Sequence, residues 1–281
     1  MEIQRIYSKN AVYQKFEVLK SNRNKRYKYQ NFFVEGVRNI NEAVKNHWQI
    51  QSFLYSFEKP LSSWAGNVLE RFKTEINYEL TSELMQDLSN KEDTSELLAV
   101  VKMREGKTDC IRYSENPVLA LFDRPSNKGN LGTMLRSCDA LGVEGLVITG
   151  HSVDVYDPEV ISSSMGSFFN VPFLQLSENQ DIGLYIAKLR EKFPGLKIVG
   201  TTSHKQTKLY EVDLRSPVLF LIGNEANGLN QYLRTHCDCL ATIPMSGQSS
   251  ASSFNVSCAA TVMFYEAVRQ RADSNAITGE K

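Results

Sequence analysis

The chain has 281 residues, 42% of them apolar, and its 32 basic and 32 acidic side chains cancel to a formal net charge of zero. That length and apolar content exclude a disordered chain and point to one or two globular units, with two preferred, while the balanced charge gives no general signal for a polyanionic partner. No run approaches the roughly 20 apolar residues that cross a bilayer, and the opening MEIQRIYSKN lacks the apolar core of a signal peptide, so a cytoplasmic setting and no membrane partner are expected.

From about residue 11 to 104, short apolar runs alternate with helical patterns: QNFFVEG, VRNINEAVKNH, IQSFLYSF, LTSELMQDLS and SELLAVVKM. This predicts a small α/β unit over residues 1–105. Within it, Lys20, Arg23, Lys25, Arg26 and Lys28 are interleaved with Tyr27 and Tyr29. Such a cluster suits phosphate contacts beside stacking rings, although a solvated charged face is the ordinary explanation for it. The stretch REGKTDCIRYSENP is polar, contains Gly106 and ends in Pro117, so residues 106–116 are predicted to be a linker.

Beyond it, VLALFD is apolar until its last residue and is bounded by Pro117 and Pro125, which suits a buried strand. LGTMLRSCDALG then places Leu131, Met134, Leu135, Cys138 and Leu141 at helical spacing, with Asn130 as the expected N-cap and Gly142 as the stop. Further strands are predicted at 145–150, 171–176, 196–202, 217–223 and 239–245, separated by helical patterns. Near-continuous apolar strands alternating with helices imply a mostly parallel sheet with helices on both faces, over residues 117–281. A last helix is predicted from about Asn255 to Arg271, with a frayed tail after it. The five cysteines, Cys110, Cys138, Cys237, Cys239 and Cys258, lack zinc-site spacing; they are expected to be reduced, mostly buried thiols, and no metal is assigned.

Ligands of parallel sheets bind beyond the carboxyl ends of the strands. Three loops there are unusual: DRPSNKGNLGTMLRS (123–137), IGNEANGLN (222–230) and IPMSGQSSASSFNVS (243–257). Singly, each has an ordinary explanation, since glycines after strands are common turn residues, Asn130 and Ser253 suit helix caps, and Arg136 suits a solvated helix face. No GxGxxG follows a strand and no GxxxxGK[ST] occurs, which disfavours a dinucleotide or P-loop site.

Together, the three loops resemble the ordered motifs of the SpoU (TrmH) family of SPOUT RNA methyltransferases. The first, NxGNxGTxxRxxxALGV, is matched by Asn127, Gly129, Asn130, Gly132, Thr133, Arg136 and Ala140 to Val143. The second, GNEaxGL, is matched by Gly223, Asn224, Glu225, Gly228 and Leu229; the third, IPMxG with SLNVSxA and YEAxRQR, by Ile243 to Met245, Gly247, Ser253, Asn255 to Ser257 and Tyr265 to Arg271. The segment RNKRYKYQNFFVEGVRNINEAV is similar to the L30e-like substrate-binding domain that precedes the catalytic domain in several members. In the third loop QSSAS is longer than the family pattern, Phe254 stands where the family has Leu, and Ser252 takes the place of Ser253 if the extra residues are placed differently.

The resemblance implies S-adenosyl-L-methionine (AdoMet) as cofactor, a deep trefoil knot, a homodimer packed through the knotted domain, and methyl transfer to a ribose 2'-hydroxyl of RNA, ribosomal more than transfer RNA. It implies cofactor contacts around Gly223, Asn224, Glu225, Gly228, Ile243, Met245 and Phe254, with Thr202 or Ser203 nearby, and a catalytic set of Asn130, Arg136, Ser253 and Asn255. A guanidinium stays protonated, so Arg136 is expected to grip phosphate and stabilise a developing alkoxide. Glu225 is expected to satisfy loop amides and not to act as base. The alternative reading is an inactive RNA-binding protein of ribosome assembly.

Overall fold

The computed structural model describes residues 2–89, 93–104, 106, 110–202 and 207–278. In chain order the elements are β1 (Glu2–Ile6), α1 (Ala11–Ser21), α2 (Arg23–Tyr29), β2 (Asn31–Glu35), α3 (Val37–Lys45), β3 (Ile50–Ser56), α4 (Ser63–Arg71), β4 (Ile76–Leu80), α5 (Ser82–Leu88) and β5 (Leu97–Lys102). There follow β6 (Val118–Asp123), α6 (Lys128–Ala140), β7 (Gly145–Thr149), α7 (Pro158–Ser163), β8 (Phe173–Leu176), α8 (Asn179–Lys192), β9 (Lys197–Thr201), β10 (Thr207–Lys208), β11 (Val218–Ile222), α9 (Gln231–His236), β12 (Cys239–Thr242) and α10 (Val256–Thr278). No helix among the described residues is long and apolar enough to cross a membrane.

The chain divides into two compact units, Met1–Glu105 with Asp154–Asn170, and Gly106–Val153 with Val171–Lys281. The excursion of Asp154–Asn170 into the first unit is not part of the linear division at residues 105 to 116. Its cause is packing: Phe168, Phe169 and Tyr156 form ring contacts with Phe32 and Trp48, and the Trp48 indole donates to the Phe169 carbonyl at 2.9 Å. Asp154 and Asp157 also meet a buried arginine, Arg26.

In the first unit the described strands form a sheet of order β1-β4-β3-β5-β2, parallel between β1, β4 and β3 and antiparallel from β3 through β5 to β2. Strand alternation sends Phe33, Leu54, Leu98 and Val100 into a core with Tyr13, Phe16 and Leu19 of α1 and Leu84, Met85 and Leu88 of α5. Sequence patterning missed β1 and β4, because β1 has four exposed residues and reads EIQRI, while β4 is mixed polar and apolar in INYEL.

The second unit's described strands form an all-parallel sheet, order β10-β12-β9-β11-β6-β7-β8, as the near-continuous apolar runs imply. On one face Leu219 and Leu221 of β11 pack with Ile182, Tyr185, Ile186 and Leu189 of α8 and Leu233 of α9. Burying each such side chain contributes about 1.5–3 kcal/mol. The intervening Phe220 turns to the other face and lies 5.7 Å from the ring of Phe264 on α10. Ser137 of α6 and Thr261 of α10 share a 2.7 Å hydroxyl contact there, which pins the two helices together.

Helix α6 begins one turn earlier than expected. Asn127 is its N-cap, with the side chain accepting from Asn130 N, so Asn130 lies inside the first turn. Its end is as anticipated: Gly142, at φ 66°, lets Val143 N reach the Cys138 carbonyl at 2.9 Å. Helix α10 is capped by Asn255, whose Oδ1 accepts from Ser257 N and Cys258 N, and runs on to Thr278 where a frayed tail was expected. Of the five thiols, only Cys138 is buried, and Cys110 and Cys258 are exposed.

Arg271 secures α10 to the sheet by donating to the carbonyls of Leu214, Asn116, Pro117 and Ser216 at 3.2, 2.7, 3.4 and 2.8 Å. Replacing Arg271 by Ala strips four acceptors at once, with an expected loss of roughly 2–3 kcal/mol and a Tm lowered by about 5–10 °C in thermal melts. An unshifted melting curve would show that these contacts contribute nothing net.

Candidate functional site

Strand β6 lies next to β11, the middle strand of the parallel sheet. The chain leaves β6 toward α6 on one face and leaves β11 toward α9 on the other, which opens a crevice at their carboxyl ends. The loops after both strands meet at Glu225. Its carboxylate accepts from Ser126 N and Oγ at 3.0 and 2.7 Å, from Asn127 N and Asn130 Nδ2 at 3.2 Å each, and from Asn224 Nδ2 at 3.4 Å. Burial alone would raise this carboxyl, but the donors from Ser126 and Asn130 outweigh it and hold the group below its ordinary value. Glu225 is therefore an anion that ties two loops together.

The carboxylate also orients Asn130. An ionised carboxyl only accepts, so the Asn130 amide must turn its nitrogen to Glu225 and its oxygen outward, where Asn255 Nδ2 donates at 3.0 Å. The Asn130 backbone is held as well, with its carbonyl accepting from Ser257 Oγ at 2.9 Å. Each amide nitrogen carries a second hydrogen that these contacts leave for a ligand oxygen.

Beside this network is a cavity of about 1070 Å³, whose lining runs from the ends of β9, β11 and β12 to the loop ahead of α10. Its size is at the top of the range, roughly 300–1,000 Å³, of small-molecule sites. The residues expected around the cofactor, Thr202, Gly223, Asn224, Glu225, Gly228, Ile243, Met245 and Phe254, all line it, as do Asn130, Ser253 and Asn255. Ser252 lines it too, and Ser203 lies outside the described residues. Gly223 is where side-chain bulk is excluded, since a Cβ there would stand 2.5 Å from the backbone of Gly228 and Leu229. Phe254 is 44% exposed, an apolar ring left for something flat to cover.

Arg136 does not line the cavity. Because Asn130 is within the helix, Arg136 lies six residues further on, about 1.7 turns, and projects from a different face. Its side chain is exposed and has no hydrogen-bond or ion-pair partner among the described residues.

The basic cluster is divided. Arg26 is 1% exposed: Nε donates to Asp154 at 2.7 Å, Nη2 to Asp157 at 3.2 Å, and Nη1 to the carbonyls of Leu19 and Lys20. The expectation that Arg26 meets RNA is thus corrected, because its charge is spent inside the first unit. Lys20 donates to the carbonyls of Asp87 and Ser89, while Arg23 and Lys28 are exposed and Lys25 is half-buried.

Sequence reasoning overlooked Ser257, Ser126, Thr201 and Lys208. Ser257 was visible as part of the third motif and Ser126 in the loop that carries the first, but neither gave a sign of its partners. Thr201 Oγ1 accepts from Gly223 N at 3.1 Å, which joins β9 to the second loop. Lys208 lines the cavity from β10, a two-residue edge strand too short for any periodicity.

The SpoU rRNA Methylase family model matches residues 117–265, and the SpoU L30e-like domain matches residues 10–99. The 23S rRNA (uridine(2479)-2'-O)-methyltransferase of Streptomyces viridochromogenes is 40% identical over 275 residues, 98% of this chain and 95% of that protein. The 23S rRNA (guanosine(2553)-2'-O)-methyltransferase RlmP of Bacillus subtilis is 27% identical over 241 residues, 85% of this chain and 89% of its own. Among solved structures, the SpoU methyltransferase AviRb from Streptomyces viridochromogenes in complex with AdoMet superimposes with a TM-score of 0.86 at 38% identity, covering 94% of this chain and 100% of that one. The matched motifs, the parallel sheet with its crevice and the N-terminal L30e-like domain agree, and this chain belongs to the SpoU rRNA methylase family.

Proposed function

We propose that this protein transfers the methyl group of AdoMet to a ribose 2'-hydroxyl of ribosomal RNA. The observation that carries the reading is the Glu225–Asn130–Asn255 chain of oriented amides at the edge of the large cavity. Relatives named as 23S rRNA 2'-O-methyltransferases support it.

The residues present fit the cofactor. Gly223 lets the second loop fold tightly back on Gly228 and Leu229 at the cavity wall, Phe254 and Met245 offer apolar cover for a purine, and the polar rim holds oriented amides. AdoMet supplies an electrophilic methyl on a sulfonium when bound. Asn130 and Asn255 position the attacking 2'-oxygen with their spare amide hydrogens, and Ser253 closes the same edge. In-line placement of the reacting atoms at roughly 3–3.5 Å is the main source of rate in such transfers. Arg136 grips an RNA phosphate and stabilises the negative charge that grows on the sugar oxygen as the hydroxyl proton passes to solvent. Thr202, Gly223, Asn224, Gly228 and Ile243 make up the rest of the cofactor wall.

The same reading takes in a deep trefoil knot through the second and third loops, a homodimer and a cytoplasmic setting. Support for the homodimer comes from α10, where Val262, Tyr265 and Val268 are 40%, 57% and 38% exposed. Arg136, placed outside this chain's own cavity, then serves RNA held where two chains meet. Arg23, Lys25 and Lys28, with Lys20 behind them, hold the RNA backbone. Changing Arg23, Lys25 and Lys28 together to Ala is expected to weaken binding of a 23S transcript and lower its salt dependence by up to about 2 in log–log slope. Calorimetric AdoMet binding should stay unchanged; an unaltered RNA slope would remove these residues from the interface.

The function itself is tested by mass-spectrometric mapping of 2'-O-methyl marks in ribosomal RNA from cells with and without the gene. One ribose mark should vanish with the gene. An unchanged map would overturn the reading.

A further inference from the structure

Arg124 directly follows β6 with a φ of 49°, a left-handed conformation that costs any residue with a Cβ and suits glycine. Strained backbone of this kind persists where the surroundings fix it, and it clusters at working sites. Here the surroundings are specific. The Arg124 side chain crosses Gly150, where an added Cβ would stand 2.7 Å from Arg124 Cγ, and its Nε and Nη2 donate to Asp123 at 2.9 and 3.0 Å. Its carbonyl accepts from Asn224 Nδ2 at 2.7 Å, which ties the residue to a side chain of the cavity lining.

The plain alternative is a counter-ion for Asp123, whose carboxylate is fully buried. That carboxylate, however, already accepts from Thr149 Oγ1 at 3.1 Å, Asn230 N at 2.9 Å and Asn230 Nδ2 at 3.2 Å, so both oxygens are hydrogen-bonded without the arginine. The pair is also one-sided, with side-chain exposures of 0% for Asp123 and 35% for Arg124. Nη1 has no partner among the described residues, and it forms the outer edge of a fork whose inner edge is clamped. A guanidinium held this way is preorganised for one geometry of oxyanion.

The charged residues of the lining are Lys208, on β10, and Glu225, which is bonded to Asn130 and repels a polyanion brought to it. We infer that Arg124 is a phosphate contact: its outer edge receives a non-bridging oxygen of the RNA backbone beside the target nucleotide, with Asp123 as the residue that aims it. The assignment rests on the RNA methyltransferase reading and adds to it a contact separate from Arg136 and from the basic helix of the first unit.

The conformation of Arg124 makes the test clean, because Gly and Asn both accept a left-handed backbone. Arg124→Gly and Arg124→Asn should fold with wild-type melting curves and bind AdoMet in calorimetry with unchanged Kd. Binding of an unmodified 23S rRNA transcript across a KCl series should weaken roughly tenfold, and the log–log salt slope should fall by about one. If wild type binds the transcript with a normal salt slope and both variants keep that slope and affinity, Arg124 is only a counter-ion and the inference is overturned. A lowered Tm with RNA binding intact overturns it equally. Wild type that binds AdoMet but no RNA at any salt contradicts the functional reading itself, and Arg124 with it.

Discussion

Replacing Arg136 by alanine is expected to lower kcat for methyl transfer by about a thousandfold while leaving the Kd for AdoMet within roughly twofold. A 2'-hydroxyl is a very weak acid, so partial negative charge builds on its oxygen as its proton leaves to solvent, and a donor aimed there acts mainly on the transition state. Arg136 is the cation the first motif supplies, exposed and without a partner among the described residues, beyond the wall of this chain's own cavity. Truncating it leaves the cofactor wall untouched. Lysine keeps the charge but loses the planar fork, so Arg136→Lys should recover only a small part of the rate. If Arg136 reaches the paired site of a homodimer, mixing Arg136→Ala with Asn130→Ala chains restores activity in the hybrid. Normal turnover by Arg136→Ala would remove it from the chemistry.

The second large effect is expected at Glu225. Substitution by alanine leaves Ser126, Asn127, Asn130 and Asn224 without their common acceptor. The Asn130 amide is then free to flip, so kcat should fall about a hundredfold or more, and AdoMet should bind more weakly because Asn224 lines the cavity. This differs from Arg136→Ala, where cofactor affinity is spared. The carboxyl titrates below its ordinary value of 4.5, so the unfolded chain takes up the proton first as pH falls. The stability it contributes is fully present above about 4.5 and is lost as pH drops through the folded-state value. Wild type should therefore lose Tm relative to Glu225→Gln below that pH, and the rate at neutral pH should show no titration from this group. An activity limb that disappears in Glu225→Gln near neutrality would make Glu225 a base.

The second unit was legible because its strands are buried on both faces. VLALFD became β6 with the same bounds, and VLFLI of the predicted 217–223 strand became β11. Helix starts were less so, since Asn127 and Asn130 are both capping residues three apart, and only the fold shows which one caps. The first unit hid β1 because an edge strand with a largely exposed surface carries no apolar alternation. Arg26 could not be separated from its basic neighbours by sequence, because the aspartates that bury it come from 128 and 131 residues away. The membership of Asp154–Asn170 in the first unit was hidden for the same reason, resting on rings such as Phe168 against Phe32 and not on any compositional break. The cavity-lining residues were found through motifs, whereas the hydrogen bonds that orient them, such as Ser257 to the Asn130 carbonyl, needed coordinates.

Incubating the purified protein with methyl-labelled AdoMet and an unmodified 23S rRNA transcript, then digesting to nucleosides, addresses the central claim most directly. The account predicts label in a single 2'-O-methylated nucleoside, with the adjoining phosphodiester resistant to alkali. Label on a nucleobase, or none on the RNA while AdoMet binds in calorimetry, would contradict it.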